Sequence, residues 1–237
     1  MKSLFGKVVF GAFALLFLSL AASTARADIV LVPGTAPVGG VGHTPESILS
    51  IQSPNNTSNA YGMVAWNGRK DVITGEIAKK GEHTKTLSFS QIGVTNASQI
   101  RIFMDISDPD NDLVLHELTL TAYSSTTGAI LFQGSYRGGP TPFAENGGGQ
   151  GHGDYVFALD AAQAAQLQAA FLADPNLRLG LYARTSDDTG SFTNFKLGSG
   201  PSAPVPEPAT LLLMGTGMAG VAARIRRRRN ASKAAKK

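Results

Sequence analysis

From Ile100 to Ile106 every second residue is apolar: Ile100, Ile102, Met104 and Ile106 alternate with Arg101, Phe103 and Asp105. Successive side chains of an extended strand point to opposite faces, so a repeat of two marks a strand with one side against a core. The same repeat places Leu87 and Phe89 on one face of 84–90. It sets Leu118, Leu120 and Ala122 against Thr119, Thr121 and Tyr123. Further short strands are predicted at 28–32, 48–52, 60–66, 72–78, 129–136, 155–159, 177–183 and 191–197, each bounded by Gly, Asn, Pro or charged residues. One helix interrupts them over 161–172. Asp160 can cap its first turn, Gln163 sits at the capping-box position, and Asp174-Pro175-Asn176 stops it. Ala164, Leu167 and Phe171 form its packing face. Strands do not alternate with long helices, so the expected fold is mostly β: an antiparallel β-sandwich of about ten strands with one short α-helix.

The two ends obey different rules. Lys2 and Lys7 precede a nearly uninterrupted apolar run over 8–20, and Ala25-Arg26-Ala27 follows. That order is a cleavable export leader, with cleavage expected after Ala27 and Asp28 as the new first residue. At the other end, Val205-Pro206-Glu207-Pro208-Ala209-Thr210 leads into an apolar run closed by Arg224, Arg226, Arg227, Arg228 and Arg229. The run 209–223 would make roughly 22 Å of helix at ~1.5 Å per residue. A bilayer core is about 30 Å thick, so this is a thin span, adequate for a temporary hold. The arginines act as a membrane stop and keep that end cytoplasmic. Three regions result: 1–27 the signal, 28–203 the exported domain and 204–237 the tail.

Val205, Pro206, Glu207 and Pro208, the short apolar helix after them and the terminal arginine cluster together resemble the PEP-CTERM sorting signal. The resemblance implies an exported protein of a Gram-negative bacterium, matured by signal peptidase. It implies recognition by exosortase, an integral-membrane protease-transpeptidase. It further implies transient anchoring in the inner membrane, then a cell-surface or extracellular location among exopolysaccharide or biofilm matrix. The segment from Phe157-Ala158-Leu159-Asp160 to Gly180, with Asp187 and Gly190 beyond it, also resembles the strand-rich domains that commonly carry this signal. That second likeness brings no activity with it.

The formal charge of +4 belongs to the ends. Residues 28–205 hold 10 Lys and Arg against 16 Asp and Glu, a formal charge of −6. A basic nucleic-acid footprint is therefore absent from the exported domain. With no cysteine, neither a disulfide framework nor a thiol nucleophile is available. The densest chemical cluster is Asp105, Asp108, Asp110 and Asp112, with Asn111 among them. Oxygen-rich flexible loops suit calcium, but the EF-hand glycine and distal Glu are missing, and Asp, Asn and Pro are equally the residues of a turn. His43, His83, His116 and His152 lie far apart, and no G-x-S-x-G elbow occurs. The glycine-rich stretch 138–153 lacks a P-loop lysine and reads as a long loop joining two strands. The expected role is that of a non-enzymatic surface or matrix protein without a cofactor. The alternative is a secreted polysaccharide hydrolase using paired carboxylates, such as Asp105 with Glu117 or Asp154 with Asp160.

Overall fold

The computed structural model describes residues 28–32, 45–53, 59–78, 81–106, 113–144, 155–186 and 192–200. The chain divides into two units, Met1–Ala203 and Pro204–Lys237, and every described residue lies in the first. Eleven strands are formed among them: β1 (Ile29–Leu31), β2 (Glu46–Gln52), β3 (Asn59–Trp66), β4 (Asp71–Gly75), β5 (Ile100–Ile106), β6 (Leu113–Tyr123), β7 (Ile130–Ser135), β8 (Thr141–Phe143), β9 (Tyr155–Leu159), β10 (Arg178–Ser186) and β11 (Phe192–Ser199). The helix α1 (Ala161–Ala173) lies between β9 and β10. One sheet has the order β1-β9-β5-β11-β2; the other has β4-β3-β10-β6-β7, with β8 also pairing β6. All these strand pairings are antiparallel. Among the described residues no helix is long and apolar enough to cross a membrane. The expected signal, the tail helix and the arginine stop lie outside the described residues.

Both sheets contribute to one apolar core. Leu49, Ile51, Ile102, Met104, Phe157 and Phe195 come from the first, and Val64, Leu118, Leu120, Leu179 and Leu181 from the second. At Gly62 of β3 the approach is close: a Cβ there would lie 2.7 Å from Ile77 Cδ1 and 2.8 Å from Ile51 Cγ1. Fully burying a Leu or Phe contributes about 1.5–3 kcal/mol, so this shared core dominates the stabilisation. The helix is capped as expected, with the Gln163 N–H donating to Asp160 Oδ1 at 2.7 Å. Leu167 is fully buried, and Phe171 stacks on Phe89 with ring centroids 4.1 Å apart.

Three expectations change. Segment 84–90 is not a strand: Leu87 makes a single antiparallel bridge to Leu179, then the chain turns, with the Gln91 and Ile92 N–H groups donating to Ser88 O. Leu87 and Phe89 are nevertheless both buried, so the alternation located the core face without a ladder. The strand expected at 72–78 ends at Gly75, whose φ of +96° and position against Tyr61 O admit no side chain. Beyond it Ile77 bridges Ile51, so the chain passes from one sheet to the other. Finally, the loop expected over 138–153 contains β8, which pairs Leu113–Leu115. Phe143 holds it in place, buried edge-on against Tyr155 with centroids 4.5 Å apart. Pro142 is tolerated because a strand's outer side needs no N–H.

Two bulges correct the pattern where its spacing is odd. Leu115 and Leu118 are both buried although three residues apart. The β6–β10 register shifts between them, pairing Arg184 with Glu117 and Thr185 with Leu115, so His116 is the extra residue. In β2 the shift between Leu49 and Ser47 leaves Ile48 extra and lets consecutive Ile48 and Leu49 both be buried.

Candidate functional site

The sorting residues Val205, Pro206, Glu207 and Pro208 lie outside the described residues. So do Arg224, Arg226, Arg227, Arg228 and Arg229, and Asp108, Asp110 and Asp112 of the acidic cluster. Asp105 is described. It stands on β5 opposite Asn194 of β11, on the face away from Ile102 and Met104, and is only 1% exposed. Lys196 Nζ donates to its Oδ2 at 3.2 Å. The neighbouring Asn194 Oδ1 accepts from Ser50 Oγ at 2.6 Å, so a polar row runs from β2 across β11 to β5. Among the described residues no group of three His, Asp or Glu side chains is placed to hold a metal ion.

Of the carboxylate pairs considered for hydrolysis, Asp105 and Glu117 stand apart. Asp105 belongs to the first sheet and Glu117 to the second. Glu117 Oε1 accepts from Arg184 Nε at 3.0 Å and from its Nη2 at 2.7 Å. Asp160 serves the helix cap, and Asp154 lies outside the described residues. His116 Nε2 lies 2.8 Å from Ser186 Oγ, a contact created by the bulge that turns His116 out of the strand's phase. His83 lies 3.6 Å from its neighbour Glu82. His43 and His152 lie outside the described residues. Asn96, the start of an N-x-S triplet, caps a short 3-10 turn, its Oδ1 accepting from the Ser98 N–H.

The second sheet's outer face gathers a different set. Opposite the buried Leu179, Leu181 and Ala183 of β10, the alternate positions carry Gly180, Tyr182 and Arg184. In register, Arg184 lies between Tyr61 and Glu117, and Tyr182 between Met63 and Thr119. Thr119 Oγ1 and Ser135 Oγ, 3.0 Å apart, extend that row to β7. Gly180 leaves a hollow: a Cβ there would touch Val64 O and lie 2.9 Å from Tyr123 Cε2, so the Tyr123 ring leans over it. Burial pushes the Tyr123 hydroxyl above its ordinary pKa. It does the same for Tyr182, where the Glu117 carboxylate adds to the shift. Both phenols therefore remain neutral donors at physiological pH. Tyr61 is 42% exposed. At the rim Trp66 donates Nε1–H to Ser125 O at 2.9 Å and lies under the Arg178 guanidinium, 5.3 Å from ring centre to Cζ. These residues carry no motif; the only signal in the sequence of Tyr61, Thr119, Tyr123, Tyr182 and Arg184 is that they occupy the off-phase positions of core strands.

Residues 204–228 match the family model described as the PEP-CTERM protein-sorting motif. Neither the curated proteins nor the solved structures contain a match to this chain. The matched segment begins at Pro204 and spans the Pro206-Glu207-Pro208 core, the apolar run and most of the arginine cluster. The chain thus carries a PEP-CTERM protein-sorting motif over residues 204–228, a signal that implies export and exosortase as the processing partner.

Proposed function

We propose that residues 28–203 form a β-sandwich serving as a non-enzymatic module of the cell surface or extracellular matrix of a Gram-negative bacterium, in contact with exopolysaccharide. In this reading the leader is removed after Ala27. The 209–223 helix then holds the protein in the inner membrane with the arginines cytoplasmic, until exosortase acts at the Pro206-Glu207-Pro208 segment. The domain needs no resident cofactor, and Asp105 serves as the partner of Lys196.

The observation that carries the domain's role is the outer face of the second sheet. Tyr61, Tyr182 and Tyr123 offer amphipathic rings, and Arg184, Glu117, Thr119 and Ser135 offer hydrogen-bonding groups along two adjacent rows. Rings with a polar tip suit a partner that is apolar on one face and hydroxylated at its edge, as a sugar ring is. Described carboxylates of the hydrolase alternative, in contrast, are engaged by Lys196, Arg184 and the helix cap.

The test is cosedimentation of the exported protein with exopolysaccharide from the producing cells. Tyr61→Ala and Tyr182→Ala should each release protein to the supernatant while leaving the thermal midpoint within a few degrees. Equal cosedimentation of wild type and both variants would remove this face from the reading.

A further inference from the structure

The corner where β1 meets the start of α1 holds an arrangement that neither the sorting motif nor the exposed face explains. Asp28 is the residue just before β1, and its backbone N–H donates to Asp160 Oδ2 at 2.6 Å. The other oxygen of the same carboxylate, Oδ1, accepts the Gln163 N–H and caps α1. The Asp160 N–H in turn donates to Asp28 O at 3.2 Å. Arg137 Nε approaches Asp28 Oδ1 to 2.7 Å, a close ion pair although the N–H is not aligned on that oxygen. The corner therefore brings the carboxylates of Asp28 and Asp160 together, with the Arg137 guanidinium placed on that of Asp28.

We propose that the α-amino group released at Asp28 is the missing cation, and that Asp160 is its binding site. The inference rests on the reading that the leader is cut after Ala27. Hydrolysis of the Ala27–Asp28 peptide bond consumes one water and leaves a carboxylate on Ala27 and an amine on Asp28. The amine takes up a proton near neutral pH, since an α-amino group ordinarily titrates at about 7.7–8.0. Its nitrogen already stands at hydrogen-bond distance from Asp160 Oδ2, so protonation converts a neutral donor into a charge-assisted one without rearrangement. The corner then holds two carboxylates, one guanidinium and one ammonium, and its charge balances. Among the described residues, the charged groups at this corner are Asp160, which accepts from the amine nitrogen, and the Asp28 carboxylate with Arg137 against it.

The consequence is a processing-dependent latch. β1 is a three-residue edge strand paired to β9 over Ile29–Leu31, so its own ladder is short. The ammonium–Asp160 pair pins its free end to the junction of β9 and α1, the point from which the helix starts. Leader removal thus completes a bond that the precursor makes only as a neutral amide contact.

The test uses the full chain, exported with its own leader and extracted in mild detergent. Intact-mass analysis should give Asp28 as the first residue. A second form carries Gly-Ser inserted between Ala27 and Asp28, which moves the free amine away from Asp160 while keeping the rest of the chain. Each form is compared with Asp160→Asn, which retains helix capping because Asn caps as well as Asp. With Asp160 present, the insertion should lower the thermal midpoint by roughly 2–4 °C. With Asp160→Asn it should have no further effect. The α-amino group should also titrate higher in the Asp28-first protein than in the Gly-Ser form. A first residue other than Asp28 overturns the leader reading and this proposal together. Asp28 first, but equal losses in both backgrounds, overturns the proposal alone. Should Asp160→Asn fail to accumulate, the two amine titrations decide, and equal values refute the latch.

Discussion

Asp105 has a conspicuous sequence context and an inconspicuous neighbourhood. In the sequence it opens an acidic run; in the sheet it is a buried carboxylate held by Lys196, whose side chain is 21% exposed. Breaking a buried ion pair leaves a charge without its partner, which costs more than the pair itself contributes. We expect Asp105→Asn to destabilise by about 2 kcal/mol, below the fully buried range because Lys196 retains water. The double variant with Lys196→Met should recover part of that loss. Urea midpoints of the two variants and wild type check this, and a single variant as stable as wild type would show that the pair is dispensable. At Gly180 the constraint is space: any side chain meets the carbonyl of Val64 on the neighbouring strand. Gly180→Ala should therefore cost about 2 kcal/mol, as overpacking does.

Between elements, the helix is fastened at both ends by polar contacts and in the middle by apolar ones. The Ala97 N–H donates to Gln168 Oε1 at 2.8 Å, tying α1 to the 3-10 turn before β5. Leu167, wholly buried, carries the apolar share, and Leu167→Ala should lose about 2–4 kcal/mol in urea unfolding. At the C-terminal end Asp174 ties the helix to the β6–β7 turn through the Ser125 N–H at 2.8 Å and the Ser125 hydroxyl at 3.0 Å. Burial alone would raise the Asp174 pKa, but these bonds, with those from Asn176 N–H and Ser124, hold it below 3.8. A carboxyl whose folded pKa is depressed stabilises the fold above its unfolded pKa, and that contribution is lost as pH falls through the folded value. The stability gap between wild type and Asp174→Asn should therefore be full above pH 3.8 and close below it. A gap independent of pH between 5 and 2, measured by denaturant titration, would show that charge plays no part there.

For the molecule as a whole, the decisive chemistry lies in the tail. Under the proposed sorting route, a scissile bond has to be presented to a membrane-embedded enzyme at the outer face, where the proposed 209–223 helix would enter the bilayer. Pro206 and Pro208 resist helical continuation and bias their predecessors toward extended geometry, while Glu207 resists entry into hydrocarbon. We expect Glu207→Ala to give an exported protein that stays in the cytoplasmic membrane, heavier than processed wild type by the mass of the tail. Intact-mass measurement on fractionated envelopes makes the comparison. Full-length wild-type protein as the only species in cells possessing exosortase would instead identify the tail as a permanent anchor.

The period-two repeats determined that the chain is mostly β and that Ile102, Met104, Leu118 and Leu120 face the core, because side-chain alternation is a property of the extended backbone alone. They did not show that Arg101, Phe103 and Asp105 on the other face of β5 are buried too. Asp160, Gln163 and the Asp174-Pro175 stop likewise placed the helix to within a residue, since caps act locally. The sorting motif was legible for a related reason: it is read as a linear order of residues rather than as a folded surface. Tertiary structure alone decided the rest. Whether 84–90 forms a ladder depended on Leu179 and on the turn at Ser88, and the phase of Leu115 and Leu118 on a bulge set by β10. Asp105 met Lys196 across two strands separated by most of the domain's sequence, and Tyr61 and Tyr182 came together only through β-pairing. The corner at Asp28 and Asp160 joins residues 132 positions apart, and a pattern confined to neighbours in sequence has no means of encoding such a contact.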